Sequence, residues 1–170
     1  DLIIFLGDYF TSREGIPVEF QEANFRRIVE FKNAHPDKVV LLRGNHDMEA
    51  LYYWAECYPA TGEFVKAFMR LNEERFLNNT QWIYLYKNIC FYHAGVSSIW
   101  MEHIAKIKTL EEINALPPSA IFGFTGKMSD YTGESSTQPP TWIRPHTLVD
   151  CGYKGVIHVV GNTKKKNLTK

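Results

Sequence analysis

Three short polar clusters in this sequence carry the residue types of a metal centre. Gly7-Asp8 follows one run of apolar residues, Gly44-Asn45-His46-Asp47 follows a second, and His93-Ala94-Gly95 follows a third. Carboxylate, amide and imidazole groups are oxygen and nitrogen donors that bind first-row divalent cations. A glycine in each cluster lets the backbone turn sharply there. The clusters therefore predict a mixed oxygen and nitrogen metal site.

The apolar runs before the clusters predict the elements that position them. Short runs of this kind are typical of buried strands, and helical spacing of apolar residues lies between them. Alternating strands and helices indicate an α/β fold, in which functional side chains gather beyond the carboxyl ends of the strands. Strands are predicted at Leu2–Leu6, Val39–Leu42, Trp82–Tyr86, Ile89–Tyr92 and Val156–Val160, helices at Pro17–Asn33, Met48–Tyr58, Glu63–Phe76 and Glu102–Leu116, and a long loop over residues 123–141.

Composition narrows the classes of protein to which the chain can belong. Its 170 residues are expected to form one domain. Lys+Arg and Asp+Glu both number 19, so no net charge favours nucleic acid or an anionic membrane. No apolar run reaches the roughly 20 residues that span a bilayer. Cys57, Cys90 and Cys151 are widely separated and odd in number, which favours a reducing compartment. We expect a cytoplasmic protein without nucleic-acid or membrane partners.

The clusters resemble, in order, the G-D, G-N-H-[DE] and H-[GA]-G motifs of calcineurin-like metallophosphoesterases. Leu41–His46 is most similar to the serine/threonine phosphoprotein-phosphatase branch of that superfamily. Val159–Thr163 resembles its later V-G-H-T motif, and Trp142–Pro145 resembles an arginine-bearing loop of bacterial phosphatases. This resemblance covers nearly the whole chain, and it implies a two-sheet β-sandwich flanked by helices.

The resemblance also implies an activity, the hydrolysis of phosphate monoesters in a phosphoprotein or a small phosphoester. Two divalent ions, manganese, iron or zinc, would hold a hydroxide for in-line attack on phosphorus. Asp8 would bridge the ions, while Asn45, His93 and Asn162 would complete the ligand set. His46 would protonate the leaving alkoxide.

Other polar residues receive supporting or structural interpretations. Arg144 and Arg13 are the candidates for binding the substrate phosphate through forked hydrogen bonds. A surface salt bridge is the alternative interpretation of Arg144. Asp47 is interpreted mainly as a structural residue, and His158 as structural because it lies within a predicted strand.

The sequence departs from the family pattern at three points. The D-x-H motif that precedes G-D is missing, so the chain is expected to be truncated at its N-terminus and incomplete at its C-terminus. Asn162 stands where V-G-H-T has histidine, and an amide is a poorer donor. Thr11 stands where the phosphatase branch has an aspartate that orients the motif histidine. We therefore expect weak metal occupancy. Two alternatives stay open: a degenerate, non-catalytic binding or scaffold protein, and a hydrolase of nucleotides or dinucleoside polyphosphates.

Overall fold

The computed structural model describes residues 1–10, 15–52, 72–121 and 132–163. The chain has two compact units, Asp1–Tyr84 and Leu85–Lys170. The expectation that all 170 residues form one domain stays a prediction. Among the described residues, no helix is both long enough and apolar enough to cross a membrane.

A β–α–β arrangement forms the centre of the first unit. Strands β1 (Ile3–Phe5) and β2 (Val39–Leu41) are parallel neighbours, and helix α1 (Val18–Ala34) connects them. β2 is buried along its whole length. Helix α2 (Asn45–Tyr52) follows β2, and residues 72–79 are also helical. The carboxyl ends of both strands therefore lead into the first two polar clusters.

Aromatic rings fill the core of the first unit behind β1. Tyr9 and Phe10 each lie 5.1 Å from Phe25 of α1, measured between ring centroids. Phe76 lies 5.6 Å from Phe25 and is fully buried. These contacts pack Tyr9 and Phe10, the two residues that follow Asp8, against α1. The aromatic core therefore helps to fix the position of Asp8.

The prediction that the strand at Leu2–Leu6 is buried is wrong. Among the residues that the structure describes, β1 has one neighbour, β2, in a two-stranded sheet, and Ile3 is 44% exposed. A strand at the edge of so small a sheet leaves one side uncovered. The apolar run identified the strand and its direction, but the burial depends on which elements cover it.

The second sheet has the strand order β3 (Ile83–Tyr86), β4 (Ile89–Tyr92), β5 (Ile157–Val159), and the boundary between the units falls within β3. A turn at Lys87-Asn88 joins β3 to β4. β5 runs parallel to β4. The prediction that Val156–Val160 is buried is wrong, since Ile157 is 56% exposed on a strand that pairs with β4.

The predicted helix Glu102–Leu116 is replaced by two shorter helices. A π-helix covers Trp100–Ala105 and a 3₁₀ helix covers Glu111–Ala115. Lys106 ends the first of them because its φ of +56° lies in the left-handed region, which a continuing right-handed helix excludes. Helix α3 (Pro118–Ile121) and helix α4 (Pro145–Cys151) follow.

Two small sheets with helices confirm the predicted α/β class. The predicted helix at Met48–Tyr58 begins three residues earlier, at Asn45, and residues 53–58 lie outside the described residues. Most of the predicted helix Glu63–Phe76 and residues 123–131 of the predicted loop lie outside them too. Residues 133–141 form neither helix nor strand, as predicted.

Candidate metal centre

Two glycines bring the first two polar clusters into backbone contact. Gly7 has a φ of +96°, a conformation that residues with side chains rarely adopt, and a Cβ there would lie 2.5 Å from the Gly44 nitrogen. A Cβ on Gly44 would overlap the Asp8 carboxylate. Since both spaces are filled, a larger residue at either position would displace the backbone or Asp8. The sequence motif therefore encodes a close approach of two loops.

The Asp8 carboxylate occupies the place of a helix N-cap side chain. Its Oδ1 accepts the N–H of His46 at 3.1 Å, in the first turn of α2. Gly44 precedes the helix and has no side chain to cap it, so Asp8 supplies the acceptor from 38 positions away. A φ of +61° at Asp8 is uncommon for a residue with a side chain, and such strained residues are concentrated at functional sites.

The Asp47 carboxylate holds both loops together. It accepts the N–H of Asp8 at 2.9 Å, of Tyr9 at 2.8 Å and of Gly44 at 2.8 Å. Asp47 is completely buried, and burial together with the nearby Asp8 carboxylate raises its pKa, while the three N–H donors oppose that rise. The bond to Gly44 is the backward half of a capping box. These contacts are those of a structural residue.

Asn45 and His46 form the start of α2 and are both buried. Nδ1 of His46 lies 3.9 Å from Oε2 of Glu49, one turn further along the helix. Sequence reasoning missed Glu49, because the helix was predicted to begin at Met48. With the helix start at Asn45, the i, i+3 spacing would have indicated that the two side chains share a face.

The motif arginine Arg43 has a structural role in the first unit. Its guanidinium donates to the carbonyls of Leu77 and Thr80 and to the Thr80 hydroxyl, and it lies 4.6 Å above the Trp82 ring. Burial lowers the pKa of Arg43 to about 10. These contacts attach the end of β2 to the end of the helical residues 72–79.

In the second unit, His93 lies beside the segment that contains Asn162. The His93 carbonyl accepts the N–H groups of Gly161 and Asn162, both at 2.9 Å, and His93 is buried. The next residue, Ala94, donates its N–H to the Pro140 carbonyl at 2.9 Å. His93 and the residues Gly161 and Asn162, which are 68 and 69 positions away in the sequence, are therefore neighbours in this unit.

The side chain of Asn162 has an unsatisfied polar atom. Its amide nitrogen Nδ2 is buried and has no hydrogen-bond partner among the residues that the structure describes. The oxygen and nitrogen of an amide are exchangeable by a flip of the side chain, so an acceptor oxygen can occupy the same position. An unsatisfied buried atom next to the His93 backbone fits a position for an added ligand.

The guanidinium of Arg144 is oriented by two neighbours. Nε donates to the carbonyl of Thr132 at 2.9 Å, and the guanidinium stacks 4.4 Å above the Trp142 ring. Its backbone N–H donates to the Gly133 carbonyl at 2.9 Å. The other arginine of the prediction, Arg13, lies outside the described residues, as does Thr11.

His158 is engaged in contacts within the second unit that suit a structural residue. Its Nε2 lies 2.9 Å from the Tyr153 carbonyl, and its ring stacks on Tyr92 with centroids 5.4 Å apart.

The predicted ligands fit a metal ion by their chemistry. Asp8 and Asn45 offer oxygen in the first unit, while His93 and Asn162 offer imidazole and amide groups in the second. This donor set suits manganese, iron or zinc. Within the described ranges, no three or more His, Cys, Asp or Glu side chains are grouped so as to hold a metal ion. The convergence of all four residues on one site stays a prediction.

Comparison with protein families gives a match to a family model described as calcineurin-like phosphoesterase. It covers residues 1–147, which include the three polar clusters and Arg144. Asn162 lies beyond the matched segment. No curated protein and no solved structure matches the chain.

Proposed function

The chain belongs to the calcineurin-like phosphoesterase family, and from that membership we propose that it is a metal-dependent hydrolase of phosphate monoesters, of the phosphoprotein-phosphatase kind. Family members are hydrolytic phosphoesterases that generally bind two divalent metal ions. The monoester specificity is supported by the similarity of Leu41–His46 to the phosphoprotein phosphatases.

The observation that carries this proposal is the arrangement of hydrogen bonds around Asp8. Its carboxylate is held by the first turn of α2, and Asp47 fixes the backbone on both sides of it. An exposed carboxylate held in a strained conformation costs stability, and a role in binding accounts for that cost. Asn45, at the start of α2, directly precedes His46, whose N–H binds the Asp8 carboxylate.

Asp8, Asn45, His93 and Asn162 would hold the two ions. When bound, the ions supply Lewis acidity and an activated water for attack on phosphorus. His46 gives a proton to the leaving oxygen, so that the departing group leaves as a neutral alcohol. Arg144, whose guanidinium lies 4.4 Å from the centre of the Trp142 ring, binds phosphoryl oxygens through that guanidinium.

Turnover of matched phosphoesters with added Mn²⁺ tests the proposal. We expect hydrolysis of p-nitrophenyl phosphate and of a phosphoserine peptide, with bis(p-nitrophenyl) phosphate and diadenosine polyphosphates at least about tenfold slower. With the phosphoserine peptide, whose leaving alkoxide needs a proton, the variant His46→Ala should lose roughly 10²–10⁴ in rate, the usual contribution of a general acid, without loss of metal. Glu30→Gln, an exposed change on α1, is the control and should keep the parent rate.

Two results would contradict the proposal. Faster turnover of diadenosine polyphosphates would assign the chain to the nucleotide hydrolases. No turnover of any substrate at saturating Mn²⁺ would favour the non-catalytic alternative. That alternative has one specific observation in its support, since Asn162 replaces an imidazole donor and lies beyond the segment that matches the family.

A further inference from the structure

Glu49 places a buried carboxylate beside the imidazole of His46. The two side chains are three residues apart on α2, with His46 Nδ1 3.9 Å from Glu49 Oε2. The side chain of His46 is 10% exposed and that of Glu49 is 5% exposed. Because water is largely excluded from both groups, their electrostatic attraction is only weakly screened.

A glutamate at this position has an energetic cost that an apolar residue would avoid. Every residue of α2 from Asn45 to Leu51 is buried, so a leucine or methionine at position 49 would suit the surroundings by packing alone. Moving a carboxylate out of water is costly unless a partner compensates the lost hydration. The nearby imidazole edge is such a partner, and the pair therefore indicates a role for Glu49 at His46.

We propose that Glu49 is the positioning residue for His46. Its carboxylate faces the Nδ1 edge, holds the ring in one orientation and favours the tautomer with hydrogen on Nδ1. Nε2 is then the nitrogen that gives a proton to the substrate. This inference rests on the proposed function, in which His46 protonates the leaving oxygen.

In the hydrolysis, the attacking water oxygen forms a bond to phosphorus and loses its proton to solvent. The bond between phosphorus and the leaving oxygen breaks, and the leaving oxygen takes that bonding electron pair. The oxygen then binds the proton from Nε2 of the imidazolium, and the electron pair of the N–H bond stays on Nε2. The product imidazole carries hydrogen on Nδ1, which is the tautomer that the Glu49 carboxylate stabilises. A proton from water restores the imidazolium.

Kinetics with two leaving groups test this role. A nitrophenolate departs readily without a proton, whereas an alkoxide needs one. Glu49→Gln should lower kcat for β-glycerol phosphate by about 10–100-fold, the usual cost of losing a partner that orients a functional histidine. It should change kcat for p-nitrophenyl phosphate by less than about threefold and leave KM unchanged.

Glu49→Asp should restore part of the loss, and Glu30→Gln should have no effect. In a His46→Ala background, Glu49→Gln should cost nothing further.

A second measurement does not depend on turnover. In ¹⁵N spectra of the metal-free protein, His46 should show hydrogen on Nδ1, and Glu49→Gln should shift the population toward hydrogen on Nε2. Circular dichroism and urea unfolding of each variant separate these effects from loss of the fold, with Glu49→Asp as the second variant if Glu49→Gln does not fold.

The results of these tests distinguish a failure of the role of Glu49 from a failure of the proposed function. Equal loss for both leaving groups, an additional loss in the His46→Ala background, or an unchanged His46 tautomer would overturn the role of Glu49 while leaving the phosphoesterase proposal intact. If the parent protein hydrolyses neither substrate, the proposed function fails first. A tautomer shift in that case would still show that Glu49 orients His46, and the catalytic consequence drawn from it would be overturned.

Discussion

Asp47 shows how one side chain can determine the geometry of a site without touching a substrate. Its two carboxylate oxygens bind N–H groups from two loops, Asp8 and Tyr9 on one and Gly44 on the other. Each bond is short and charge-assisted, and such bonds are about twice as strong as neutral ones. The position of Asp8 therefore depends on a residue that is 39 positions away in the sequence.

We predict that Asp47→Asn lowers the free energy of unfolding by about 3 kcal/mol. The asparagine amide has nearly the same shape as the carboxylate, but its nitrogen is a donor and cannot accept a backbone N–H. Each lost hydrogen bond to a charged acceptor costs about 1.5–3 kcal/mol. Urea unfolding measures the change. Asp37→Asn, an exposed change in the same unit, should stay within about 0.5 kcal/mol of the parent. Equal values for the two variants would show that the three bonds add no stability.

At the scale of the elements, the loops after β1 and β2 approach so closely that a methyl group cannot fit between them. Gly7 and Gly155 offer a matched comparison, because their φ angles are +96° and +89°. A Cβ on Gly155 would meet no atom within 4 Å, whereas a Cβ on Gly7 would lie 2.5 Å from the Gly44 nitrogen. The two positions therefore share the backbone strain and differ in the clash.

From this comparison we predict that Gly155→Ala costs about 1 kcal/mol, the usual penalty of a left-handed conformation, and that Gly7→Ala costs at least about 2 kcal/mol more. The midpoints of urea unfolding give both values. Metal affinity should fall in Gly7→Ala alone, since that change displaces the loop that carries Asp8. A similar cost for the two variants would mean that the loops separate easily.

The sequence predicted these elements unevenly, for physical reasons. Apolar runs and turn residues located all five strands, and the motif glycines marked the loops that carry the candidate ligands. The start of α2 was misplaced because its cap, Asp8, comes from a distant part of the chain, which local capping patterns cannot indicate. The break at Lys106 depends on which faces of Trp100–Ala105 and Glu111–Ala115 are buried, and that is decided by tertiary packing.

At the scale of the whole molecule, a cation that binds the folded chain and not the unfolded chain raises the melting temperature by mass action. We predict that Mn²⁺ raises the Tm in proportion to the logarithm of its concentration, with about 2.7 kcal/mol of stabilisation at a hundred times Kd. In Asp8→Ala the Tm should start lower, because the cap of α2 is lost, and should respond little to Mn²⁺. Differential scanning calorimetry gives both quantities.

Asp37→Ala is the control for this prediction and should keep the full response to Mn²⁺, since Asp37 is exposed and lies outside the motif loops. Addition of a chelator should reverse the rise in every responsive variant. If Asp8→Ala responds to Mn²⁺ as strongly as the parent, the ion binds elsewhere, and the assignment of Asp8 as a ligand is wrong.

The contact between Gly7 and Gly44 has a consequence for how this sequence can evolve. The atoms that exclude a side chain at position 7 are the backbone nitrogen and Cα of Gly44 and the carbonyl carbon of Arg43, which every amino acid carries in the same place. A second-site substitution cannot remove backbone atoms, so no compensating mutation makes room for a larger residue. Position 7 therefore accepts no neutral substitution. Descendants that keep this loop geometry must keep its glycine, whatever substitutions accumulate elsewhere.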